Sequence, residues 1–81
     1  MKSQELLSKL HAMGVNSNSY SLGGIRHSDC VCVVLEGGNW KVYYVERDRP
    51  DQLAVLDNEE QAYDFVYETF CKWLGFAIVK E

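Results

Sequence analysis

Eighty-one residues with a formal net charge of −4 allow one small domain, residues 1–81, close to the size at which a core barely sustains itself. With 47% hydrophobic and 12% aromatic side chains the chain is too apolar for disorder, and no apolar run nears the roughly 18 residues of a membrane span. Glu5, Ser8, Lys9 and His11 interrupt any signal-peptide stretch, so the expected compartment is the cytoplasm and no membrane partner is expected.

Ser3 can cap a first helix over residues 4–13, with Gly14 just past its end. Leu6, Leu7, Leu10 and Met13 draw one apolar stripe along it. Residues 16–29 read as a polar connection in which Tyr20 and Leu22 form a short extended anchor. Its Gly23-Gly24 pair lacks the Gly-Lys-Ser/Thr ending of a phosphate loop and suits a turn instead.

CVCVVLEGGNWKVYYVE then reads as a β-hairpin, with strands over 30–35 and 40–46 joined by Glu36-Gly37-Gly38-Asn39. Trp40, Val42 and Tyr44 share one face of the second strand and Lys41, Tyr43 and Val45 the other. The first face is assigned to the core and the second to an apolar surface with polar neighbours; a one-residue slip would exchange them. Residues 48–52 predict a charged loop around Pro50, the only proline, and 53–56 a third strand. Asp57 and Glu60 form a capping box for a long second helix that Gly75 ends. On it Ala62, Phe65, Val66, Thr69, Phe70 and Trp73 are expected to face the core, with Tyr63, Tyr67, Phe70 and Leu74 as an adjacent stripe. The tail over 76–81 fits either a short strand or a segment tucked under the sheet. The predicted fold class is therefore α+β, in the order α-β-β-β-α, a three-stranded antiparallel meander with both helices packed on one face.

The three cysteines, Cys30, Cys32 and Cys71, are an odd set, and His11 and His27 match no ligand spacing. They read as small buried hydrophobes in a reducing compartment, with no metal and no cofactor. No third group orients a Cys–His pair, and the carboxylates cluster on an exposed helix end rather than in an apolar pocket. No catalytic residue is assigned, and the chain is not expected to be an enzyme. Charge is uneven: residues 46–68 hold eight carboxylates against Arg47 and Arg49, a net of −6. Such a half repels phosphate backbones and attracts a basic partner. Double-stranded-RNA-binding domains share the element order but need lysines where this chain reads DNEEQAYD, so no nucleic-acid partner is expected.

What the residues describe is a protein-binding module. Tyr20-Ser21-Leu22-Gly23-Gly24, Cys32, the block from Gly38-Asn39-Trp40 through Val42-Tyr43-Tyr44 to Glu46-Arg47, and Asp57-Asn58-Glu59-Glu60-Gln61-Ala62 resemble a family of small bacterial immunity proteins. The resemblance covers residues 20–62, and W-x-V-Y-Y-x-E-R is its most specific piece. Asp48 stands where the pattern has glycine, and the chain from Gly75 onward has no counterpart. Families of this kind accompany polymorphic toxins, including those of contact-dependent growth inhibition. The resemblance implies an antitoxin that binds a cognate toxin's C-terminal domain, often a nuclease with a basic cleft. On that reading Glu46, Asp48, Asp51, Glu59, Glu60 and Asp64 make the charged contact, and Tyr43, Tyr63 and Tyr67 are the anchors. Arg47 and Arg49 serve as bidentate contacts to toxin carboxylates. If the strand faces are exchanged, Tyr44 replaces Tyr43 as an anchor. In isolation a monomer or weak dimer is expected. The rival expectation is a regulatory or scaffold domain that binds a cellular protein.

Overall fold

The computed structural model describes residues 1–26, 29–47 and 49–75, which form a small α+β domain. Its elements are α1 (Ser3–Ala12), a 3₁₀ turn (Ser17–Ser19), β1 (Tyr20–Ser21), β2 (Cys30–Glu36), β3 (Asn39–Glu46), β4 (Arg49–Leu56) and α2 (Glu59–Leu74). His27, Asp48 and the tail over 76–81 lie outside the described residues.

β2, β3 and β4 make the expected antiparallel meander. A fourth strand corrects the count: Tyr20–Ser21 pairs in parallel with β2, Tyr20 beside Val31 and Ser21 beside Cys32. Two residues are too few to leave a period in the sequence, so this segment read only as extended. The loop expected over 48–52 is also corrected, because β4 already begins at Arg49, which pairs with Glu46. That register needs a tight turn, and Arg47 takes it up at φ 50°, the left-handed conformation such turns require. Pro50 is tolerated within β4 because β4 lies at the sheet edge, where a missing N–H breaks no ladder.

Strand alternation sends Val31, Val33 and Val42 to the face that both helices cover. There they join Leu6 and Leu10 of α1 and Ala62, Tyr63, Val66 and Phe70 of α2 in one buried cluster. Trp40 and Tyr44 pack against its edge, as the strand parity predicts. A register shift after Val42 makes Leu53 an extra residue in β4, and its side chain also packs on this core. The opposite face is less open than expected. Cys30, Cys32 and Val45 form a second buried cluster there, with the two Sγ atoms 3.2 Å apart, and Cys71 is buried too.

The helix starts are each displaced by one residue. Ser3 is the first residue of α1, and Lys2 precedes it without a side-chain cap. Asn58, not Asp57, caps α2 by accepting from the Gln61 N–H at 2.9 Å, while Gln61 Oε1 accepts from the Asp57 N–H at 3.3 Å. The reciprocal box is thus built from Asn58 and Gln61, leaving the Asp57 and Glu60 carboxylates in solvent. Gly75 ends α2 in the left-handed conformation at φ 76°, as its position predicts.

Candidate functional site

The direction of α2 organises the surface. α2 starts just after Leu56, at the sheet end where Leu56 pairs with Trp40. It runs back over the sheet until Trp73, in its last turn, meets Tyr44 edge-on at 5.3 Å. Sixteen residues at 1.5 Å each make a rod of about 24 Å. The acidic half that looked continuous in sequence is therefore split into two patches at the two ends of this rod.

The first patch is the start of α2. Asp57, Glu59 and Glu60 are exposed there, and a shallow groove of about 330 Å³ lies between them and the start of α1, lined by Lys2, Ser3, Asn58, Glu59 and Glu60. Carboxylates in the first turn complement the partial positive charge of the helix end and so favour the helix. Asp64, one turn on, is already engaged: its Oδ1 lies 2.6 Å from the Met1 amino group.

The second patch is the β3–β4 hairpin corner. Tyr44, Glu46, Arg47, Arg49, Pro50 and Asp51 line an open groove of about 770 Å³. α2 has moved toward β1 by this point, as the Phe70 contact with Tyr20 (6.5 Å between rings) shows, so among the described residues no helix covers the first half of β4. The Arg47 N–H donates to Asp29 Oδ1 at 3.2 Å, which pins the turn. The side chains of Glu46, Arg47, Arg49 and Asp51 have no ion-pair or hydrogen-bond partner among the described residues. Burial, and then the negative charges of Asp29 and Glu46, raise the Tyr44 hydroxyl above its ordinary range and keep it a donor.

The expected anchors fare differently. Tyr63 is only 4% exposed and belongs to the core, so it is not an anchor; burial, with Glu59 nearby, raises its hydroxyl. Tyr67 is half-buried beneath the Lys9 ammonium, 5.1 Å from the ring centroid. Its hydroxyl is raised chiefly by the neighbouring Cys71 side chain. Tyr43 points to the other side of the sheet, beside Glu36, which accepts from its hydroxyl at 3.5 Å and from Lys41 Nζ at 3.0 Å. That carboxylate raises the Lys41 ammonium. The ring beside the hairpin charges is therefore Tyr44.

Trp73 was missed as a surface residue. Helical spacing from Val66 and Phe70 puts it on the core stripe, yet it is 51% exposed, and Leu74 is 50% exposed. The signal that could have found it is Gly75. A helix that ends one turn after Phe70 gives its last turn little sheet to lie on.

No protein-family model matches the chain, and no curated protein or solved structure matches it at a significant level. Among the described residues no helix is long and apolar enough to cross a membrane, and no three His, Cys, Asp or Glu side chains gather as a metal site.

Proposed function

We propose that this domain is an immunity protein, a cytoplasmic antitoxin that binds and neutralises the C-terminal domain of a cognate toxin and has no catalytic activity of its own. The observation that carries this reading is the start of α2. Three exposed carboxylates, Asp57, Glu59 and Glu60, stand on a helix whose first turn is fixed by the Asn58 cap. Held at that spacing, they offer a basic nuclease cleft fixed negative charges of the kind it meets on a phosphate backbone. The W-x-V-Y-Y-x-E-R block and its flanking pieces support the same reading, and the carboxylates weigh against a nucleic-acid partner.

The test is binding of the purified domain to the C-terminal domain encoded by the neighbouring toxin gene, at about 0.1 and 0.5 M salt, where screening lengths differ about twofold. A nanomolar complex that weakens with salt and with Glu59→Lys plus Glu60→Lys is the expected result. Absence of a complex at either salt would remove the antitoxin reading in favour of a scaffold domain.

A further inference from the structure

From the hairpin corner we infer that this chain self-associates, with the groove around Tyr44 and Trp73 of one copy docking on the same groove of a second copy. The corner has the composition from which interfaces draw their strongest contacts. A half-exposed Trp73 stands edge-on to Tyr44, Leu74 is half-exposed beside it in sequence, and Arg47 and Arg49 flank the groove. The charge pattern says what the occupant must be. Along the rim the signs alternate, with Glu46 and Asp51 negative and Arg47 and Arg49 positive, and none of the four is paired among the described residues. With Asp29 also at the corner, a purely acidic or purely basic partner would meet like charges as well as opposite ones. A second copy related by a two-fold axis satisfies both signs, because each arginine can meet a carboxylate of the other copy and the reverse.

Two features fix the mode of contact. The Arg47 N–H donates to Asp29 and the Arg47 backbone is left-handed, so the backbone that leaves β3 is fixed before docking. Pro50, flanked by Arg49 and Asp51, blocks strand addition along the first half of the β4 edge, so the copies meet through side chains rather than as a continued sheet. The acidic start of α2 takes no part, and a dimer leaves both such ends open. A contact this small belongs to the weak class of interfaces, with a dissociation constant on the order of 10⁻⁴ M.

Sedimentation equilibrium of the intact chain up to about 1 mM, ten times that constant, decides the matter. The expected result is a reversible monomer–dimer equilibrium. Arg47→Glu with Arg49→Glu makes the rim acidic, and Glu46→Lys with Asp51→Lys makes it basic. Each double variant alone should be monomeric at the same concentration, and an equimolar mixture should recover the dimer. Trp73→Ala, which leaves the charges intact and truncates a half-exposed ring, should weaken the dimer about tenfold or more, and it keeps the test decisive if a charge variant folds poorly. A wild-type chain that stays monomeric, or a dimer indifferent to Trp73→Ala, would overturn the inference. Double variants that remain monomeric when mixed, while circular dichroism shows both folded, would overturn it as well.

Discussion

The two ends of α2 lie beside charged patches of different character. At its start, Asp57, Glu59 and Glu60 are of one sign, exposed, and set on a capped turn, with Lys2 the cation lining the adjacent groove. At its finish, carboxylates and arginines alternate around a groove walled by Tyr44 and Pro50, with an exposed tryptophan beside Tyr44. Charge of one sign acts at a distance and speeds encounter; mixed charge with aromatic surface acts at contact and prolongs it. A count of charges along the chain merges the two ends, and a helix of about 24 Å separates them.

Point substitutions test the contrast between the two ends. The largest expected effect contrasts two aromatics of α2. Tyr63→Ala empties a core position and should cost about 3 kcal/mol or more, whereas Trp73→Ala at a half-exposed position should cost about 1 kcal/mol. Urea unfolding of both variants measures the difference, and equal losses would mean that Trp73 belongs to the core after all. Next in size, Asn58→Ala should destabilise by about 1 kcal/mol through loss of the α2 cap, and Asp57→Ala by only a few tenths. The reverse ranking in thermal unfolding would return the cap to Asp57.

Glu59→Lys with Glu60→Lys should lower stability by about 0.5 to 1 kcal/mol through the helix dipole, an effect that shrinks with added salt, while leaving self-association unchanged. The smallest effect is alkaline. Tyr63, raised above its ordinary value of 10.0 by burial, holds its proton more tightly folded than unfolded. Its contribution is complete below pH 10.0 and is lost as pH rises through the higher folded value. Tyr44 and Lys41 are shifted in the same direction. Stability should therefore fall with pH above about 10, and Tyr63→Phe should flatten that slope in denaturation midpoints measured across the range.

Much of the fold was legible because it rests on local pattern. The alternation in CVCVVLEGGNWKVYYVE identified the hairpin and placed Val42 and Tyr44 on the helix side, and Gly75 marked the helix end. What escaped was set by tertiary pairing. Tyr20–Ser21 becomes a strand only because β2 lies beside it, and the first half of β4 looked like a loop because proline and charge are edge-strand features as much as loop features. The site was legible as a set of residue types and not as an arrangement. Glu46, Arg47, Arg49 and Asp51 do gather at one corner, but with Tyr44 and not Tyr43. Tyr63 failed as an anchor because helical period alone cannot rank two adjacent stripes by depth, and the buried set, Ala62, Tyr63, Val66 and Phe70, straddles the two.

The most direct test compares association and dissociation rates for the toxin domain proposed as the partner in three forms of the chain: wild type, Glu59→Lys with Glu60→Lys, and Trp73→Ala. The account predicts that the acidic-end variant associates about tenfold more slowly at low salt, with the difference shrinking at high salt, while Trp73→Ala associates as the wild type does. Equal rates for all three forms, or slower association only in Trp73→Ala, would contradict the assignment of the acidic end of α2 to the toxin.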